Sequence, residues 1–404
     1  MPGFLPFTGL RYDPAVTGTG LDALTCPPYD VIDEEARAAL EHLAPHNAVR
    51  LILPRDCDVE GDRYEGVAGL LETWRASGAL RSDGAPRFYG YRMRFTDEHG
   101  VHRHTHGVIG ALRLPEPGEA DVLPHERTLP KAKSDRLALM RATHTNLEPI
   151  WGLSLAGGLT DLLDDSVLLA ECRDADGTQH ELHDIRDPER IAAIVAAVGS
   201  APVVLADGHH RFETACTYRD ELRAAGAPTA GADAILALVV ELVEDELWIE
   251  PIHRLIDLPA GIDLIARLDD AFAIERGGPA TPEAIDALTV AMRERGALGL
   301  VDDRGLALAV PRLRPNGPDS AVVEELIVPR LPEADWHYWH DAMTTASFVE
   351  KGQATHAVLC SPVSVEQTRA VALAGESMPQ KKNLFAPKPP TSPMPPPLDP
   401  AQSD

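Results

Sequence analysis

The chain is short of cysteine and of basic residues, and each shortage excludes something. Its five cysteines, Cys26, Cys57, Cys172, Cys216 and Cys360, are odd in number and never spaced as CxxC. That pattern argues against a disulfide framework or a structural zinc site and suits a reducing compartment. Lys and Arg number 37 against 63 Asp and Glu, for a formal net charge of −26. Such a surface lacks the basic face that neutralises nucleic-acid phosphates, and anionic membranes repel it. No apolar run approaches membrane-spanning length, and the opening MPGFLPFTGLRYDP lacks a basic stretch followed by an apolar one. The expectation is a cytoplasmic protein that binds neither nucleic acid nor membrane. A Walker A motif and a G-x-S-x-G elbow are also missing, and Leu129 stands where HExxH would need its second His.

The apolar fraction of 44% is that of a globular protein, and 404 residues allow one large domain or two ordinary ones. Val108–Leu114 and Ile235–Val243 read as strands. Leu168–Ile185 reads as a hairpin turning at Asp174–Gly177, and Leu300–Val310 as another around Asp302–Gly305. Thr281 is an N-cap followed by Pro282, with Gly296 ending the helix, and Ser364 with Gln367 forms a capping box. Strands, hairpins and helices mix without a strict βαβ period, which points to α/β of the mixed α+β kind. Residues 1–378 form the expected catalytic region, with a break into lobes 1–155 and 156–378 suggested by AGGLTD. Residues 379–404 are expected to be a basic segment and a disordered tail, since 386–404 contain eight prolines.

The sharpest local signal is the apolar Val203-Val204-Leu205-Ala206 followed by Asp207-Gly208-His209-His210-Arg211, then Phe212, Glu213 and Thr214. A strand ending in a Gly turn before a helix presents free N–H groups and the positive end of the helix dipole. Two imidazoles and a guanidinium suit phosphate oxygens. A carboxylate suits Mg²⁺ or a proton. The plainer alternative makes Asp207 a helix cap on a solvated surface.

A second cluster, His125, Glu126, Arg127 and Thr128, leads to Lys131, Lys133, Asp135 and Arg136, with Arg141, Thr143 and Asn146 beyond. It suits an anion site with a base, and equally a charged loop entering a helix at Asp135. His253-Arg254 is a third candidate, with a surface pair as its alternative. The segment from Met378 through Lys381 to Lys388 reads as a basic closure over an anion, or as linker. His102, His104 and His106 alternate on one face of a strand, a geometry open to a metal but better explained by an edge-strand surface. Gly18–Ala23 matches G-x-G-x-x-A without the strand or helix a dinucleotide site needs.

These blocks, in this order, resemble the domain-of-unknown-function 1015 family. The resemblance is carried by Arg11-Tyr-Asp-Pro14, Pro27-Pro-Tyr-Asp-Val-Ile32, Asn47, Arg50–Pro54, Phe88-Tyr89 and Gly107–Gly110. It continues through His125–Thr128, Asp207–Arg211 with Glu213-Thr214, His253-Arg254 and Met378–Lys381. The Asp-Gly-x-His-Arg turn is also similar to that of the ParB/sulfiredoxin superfamily, which includes free L-serine kinases. The resemblance therefore implies a ParB/sulfiredoxin-like core with added strands, hairpins and helices. The implied activity is phosphorylation of free L-serine, from pyrophosphate or from ATP or ADP, with Mg²⁺.

On that basis Asp207, Glu126 and His210 would be catalytic, Glu126 or Asp207 taking the hydroxyl proton. Asp207 would also hold the metal. Gly208, His209, Arg211, Glu213, Thr214, His125, Arg127, Thr128, Arg136, His253, Arg254 and Lys381 would bind phosphate or substrate. The family's small hydroxyl residues after Met-Pro-Gln-Lys are replaced by Lys382-Asn383-Leu384-Phe385, which puts the donor and acceptor in question. Two other readings use the same turn: a nucleotide- or phosphate-binding regulatory module, and a phosphatase or pyrophosphatase. The expected partner is a small molecule such as L-serine, with homodimerisation left open.

Overall fold

The computed structural model describes residues 1–55, 62–97, 100–124, 130–164, 166–229, 231–374 and 383–391. The protein is of the mixed α/β class and divides into two compact units, Met1–Trp248 with Pro387–Asp404, and Ile249–Ala386. The 155–165 stretch lies inside the first unit. Leu159 and Leu163 are buried there, and the Glu241 carboxylate accepts from the N–H groups of Gly158 and Thr160, both at 2.9 Å.

The first unit is built on a nine-stranded mixed sheet. Its order is Val122–Leu123, Val203–Asp207, Ile150–Ser154, Ala234–Glu241, His102–Arg113, Phe88–Thr96, Gln179–Ile185 and Val167–Arg173, with Phe4–Leu5 added beside Ala111 and Leu112. Val203–Asp207 with Val122–Leu123, and Ala234–Glu241 with Ile150–Ser154, are parallel; the other pairings are antiparallel. Residues 235–240 form a continuous apolar run because both faces of that strand are covered. One face meets Ile194 and Val198 of helix Pro188–Val198 and Phe212, Ala215 and Tyr218 of helix His209–Ala224. Gly110 has no room for a side chain, since a Cβ would lie 2.5 Å from the Phe4 ring.

His102, His104 and His106 do lie on one strand. Among the described residues its 102–106 end pairs only with Phe88–Thr96, because the pairing with Ala234–Glu241 begins at Gly107. This end is an edge, with His102 and His104 exposed and His106 buried. They do not act together. His102 contacts Thr96, His104 lies 3.6 Å from Glu246, and His106 is buried against Arg92. Among the described residues no group of three His, Cys, Asp or Glu is placed to hold a metal ion, and no helix is long and apolar enough to cross a membrane.

The second unit is a six-stranded antiparallel sheet, in the order Phe272–Arg276, Gly305–Pro311, Leu298–Asp302, His356–Leu359, His253–Asp257 and Asp335–Trp339. Helices Pro282–Arg295 and Ala342–Glu350 pack Ile285, Leu288, Met292, Ala346 and Val349 on one face. Leu264, Leu268, Val322, Val323 and Ile327 cover the other. The local signals hold in detail. Thr281 Oγ1 accepts from Ala284 N–H, and Gly296 ends its helix at φ 59°. Ser364 and Gln367 exchange reciprocal bonds of 3.0 and 3.1 Å.

His253 and Arg254 are not a surface pair. Both are buried in this sheet, His253 Nδ1 accepting from Cys360 N–H at 3.1 Å and Arg254 donating to the Ile252 carbonyl while stacking on Tyr338. Burial pushes the His253 imidazole down to about 3. The unfolded chain protonates this ring below about 6.5 while the folded chain keeps it neutral, so stability falls as pH drops from there toward 3. The expected slope from His253 is about 1.4 kcal/mol per pH unit in that window. Urea unfolding at pH 6.5 and 5 should show it, and His253→Asn should make the loss shallower by that amount.

Candidate functional site

Strand Val203–Asp207 runs inside the first unit's sheet and ends at the turn singled out in the sequence. Its register against Ile150–Ser154 shifts between Leu205 and Asp207. The irregularity breaks the alternation that would otherwise send Asp207 to the same face as buried Val203 and Leu205. Gly208 follows at φ 92°, where a Cβ would meet Ile150 Cγ2 at 2.9 Å. Only glycine makes this turn without strain. The helix then begins at His209, with Gly208 as an N-cap that has no side-chain bond. Asp207 is therefore not the cap.

Its carboxylate instead meets two cations. Oδ2 accepts from the Arg211 guanidinium at 2.5 Å, and Oδ1 lies 3.0 Å from Lys388 Nζ. Arg211 also donates to the Pro149 carbonyl, and Lys388 reaches Asp30 Oδ2 at 3.2 Å. Burial alone would push the Asp207 carboxyl up, but Arg211 and then Lys388 outweigh it and hold the group below its ordinary value. Burial likewise disfavours the charged Arg211 and Lys388, but Asp207 with Glu148 and Asp30 around Arg211, and Asp207 with Asp30 around Lys388, together outweigh it, so both are raised. All three groups are charged near neutral pH.

A second set of charges continues from this one. Glu148 accepts from Thr391 Oγ1 at 3.1 Å and from Tyr29 N–H at 3.4 Å, and lies 3.7 Å from Arg136. Arg136 stacks on the Tyr29 ring at 4.3 Å and donates to the Ile52 carbonyl and to Asp135. Three cations, Arg136, Arg211 and Lys388, thus alternate with Asp30, Glu148 and Asp207. Beside them opens a small, mainly apolar pocket lined by Tyr91, Ile109, Pro149, Leu236, Pro389 and Pro390.

The structure brings together Asp207, Gly208, His209, Arg211 and Arg136 from the expected set. His209 is buried and close enough to Asp207 to lower its pKa; His210 and Glu213 are half-buried on the helix's first turns, and the Thr214 hydroxyl is buried in its packing. His125, Glu126, Arg127, Thr128 and Lys381 lie outside the described residues, as do the side chains of Lys131 and Lys133. His253 and Arg254 belong to the second unit's sheet.

Lys388 was expected only as the end of a basic closing segment, and sequence reasoning missed Tyr29, Asp30 and Glu148. Tyr29 and Asp30 sit in the Pro27–Ile32 block, so they carried a signal. Glu148 carried none. The Pro-rich stretch also differs from expectation: Thr391 exchanges backbone bonds with Cys26 at 2.7 and 3.2 Å, so residues 387–391 are seated on the first unit.

A second, polar cleft gathers Arg11, Arg81, Arg87 and Arg186. Each is already paired, with Asp83, Asp13 and, for the last two, Asp184. Those pairs account for the Arg11–Pro14 block structurally.

The fold and this cluster define a mixed α/β protein with a charged site at a strand end. The chain belongs to the family described as "Protein of unknown function (DUF1015)", whose model matches residues 4–329. No curated protein matches it significantly. Solved structures similar to it include a conserved hypothetical protein from Pyrococcus furiosus, at 14% identity over 66% of this chain and 87% of that one, with a TM-score of 0.34. A free serine kinase in complex with AMP is 15% identical over 66% and 84%, with a TM-score of 0.35. SbnI with C-terminal truncation from Staphylococcus aureus is 12% identical over 73% and 92%, with a TM-score of 0.39.

Replacing Arg211 with Met should cost about 3 kcal/mol, because it removes one partner of a largely buried pair. The Asp207 pKa is depressed on folding, so the pair's contribution is complete above the unfolded value of about 3.9 and is lost as pH falls through the folded one. Urea unfolding at pH 7 should show the full difference between wild type and variant, shrinking below pH 4.

Proposed function

We propose that this chain is a phosphotransferase acting on a small hydroxyl-bearing substrate, with free L-serine the first candidate and pyrophosphate or a nucleotide as donor. The observation that carries this reading is the convergence of Arg211 and Lys388 on Asp207 at a strand-to-helix turn. In an acidic chain, that is where cations are gathered beside the positive end of a helix. Phosphoryl transfer passes through a loose transition state and asks mainly for positioning and charge neutralisation. Arg211, Lys388 and the N–H groups of the helix's first turn would supply the latter, with His209 and His210 flanking them.

A carboxylate held below its ordinary pKa is a weak base. Asp207 therefore suits orienting a substrate hydroxyl or ammonium, and this reading gives Glu126 the proton. The loose transition state needs little push from either. The non-catalytic binding module remains the second reading, because both Asp207 oxygens already face cations.

The test is an assay of the purified chain with L-serine, Mg²⁺ and pyrophosphate, ATP or ADP, following phosphoserine by ³¹P NMR. Turnover is expected with one donor, and His210→Ala or Asp207→Asn should lower it by about 10²-fold or more. Phosphate release without serine would make the chain a hydrolase. Ligand stabilisation of about 2.7 kcal/mol at a hundredfold excess over Kd, without turnover, would make it a binding module. No phosphoserine from any donor sinks the kinase reading.

A further inference from the structure

A divalent ion on Asp207 is what the family resemblance implies, and the donor set does not fit it. One carboxylate oxygen is taken by a guanidinium at 2.5 Å and the other faces an ammonium at 3.0 Å. An ion bound there would meet two positive charges at near-contact range, where each repulsion is at its strongest. Seating it would require Lys388 to leave.

Lys388 is held from several sides. Its ammonium lies between Asp207 and Asp30, and its side chain keeps only 17% of its exposure. Three residues on, Thr391 is bonded through both its N–H and C=O to Cys26 and through its hydroxyl to buried Glu148. Between them, Pro389 and Pro390 form part of the wall of the neighbouring cavity. Prolines restrict the backbone, so the spacing between the two anchors varies little.

We propose that Lys388 is the resident cation of this site, bridging Asp30 and Asp207 in the place a divalent ion would take, and that Pro387–Thr391 is the strap that holds it there. An ammonium has three donors, and the two carboxylates account for two. The third serves an incoming anion, which makes Lys388 a binding residue as well as the group that positions Asp207. This inference goes beyond the phosphotransferase reading and does not depend on turnover.

The test is binding of Mn²⁺, followed by calorimetry and by the electron paramagnetic signal of the free ion, on the full chain. Wild type is expected to take up Mn²⁺ poorly. Lys388→Ala should bind at least about tenfold more tightly, since a like charge at contact distance is gone. Lys388→Arg should behave as wild type, and Asp30→Asn added to Lys388→Ala should abolish the gain. Wild-type binding as tight as that of Lys388→Ala, removed by Asp207→Asn, would overturn the proposal, as would a folded Lys388→Ala with no gain.

A second measurement needs no folded variant of Lys388. Brief acetylation of the wild-type chain, read by peptide mass spectrometry, should modify Lys388 at least about tenfold more slowly than exposed Lys351, because acylation requires a free amine. Equal rates would overturn the proposal.

Discussion

The ion pair between Asp207 and Arg211, joined by Lys388, ties together parts of the chain that are far apart in sequence. It joins the end of a sheet strand, the first turn of a helix and a segment arriving from beyond residue 386. Charges taken from water are costly unless they find one another, and these three do. The cost is offset further by neutral groups, notably the Pro149 carbonyl that receives Arg211. Gly208 sets the geometry, because a side chain there would collide with Ile150 and push the helix away from the strand.

The net charge of −26 gives that cluster its meaning. A strongly acidic surface repels anions, so an anionic ligand needs cations in a defined place. Arg136, Arg211 and Lys388 meet that need while interleaved with Asp30, Glu148 and Asp207, so the site is poised and not simply basic. The second polar cleft makes the contrast clear. It too collects arginines, but each is matched by an aspartate across a short ion pair.

Much of the local structure was legible in the sequence because short-range chemistry decides it. The hairpins at Asp174–Gly177 and Asp302–Gly305, the helix framed by Thr281 and Gly296, and the Ser364–Gln367 box are each settled within a few residues. The strand–glycine–helix turn at 203–211 was legible for the same reason. The edge at His102–His106 was legible as well, since its alternating polar side chains mark an exposed face, and of the three histidines only His106 is buried. His253 and Arg254 read as a candidate site or a surface pair because nothing nearby in sequence announces burial on both faces.

The amino-acid order by itself determined the elements, the turn that carries Asp207 and the shortage of positive charge that makes its arginine informative. Only the tertiary structure decided what faces that carboxylate. Composition marked residues 386–404 as proline-rich and unlikely to pack, because a segment without apolar side chains buries little area of its own. Thr391 and Lys388 are seated by hydrogen bonds and charge offered by Cys26, Glu148, Asp30 and Asp207, more than 180 residues away in every case. Partners so distant in the chain leave no periodic trace in either segment, and they meet only once the sheet has formed.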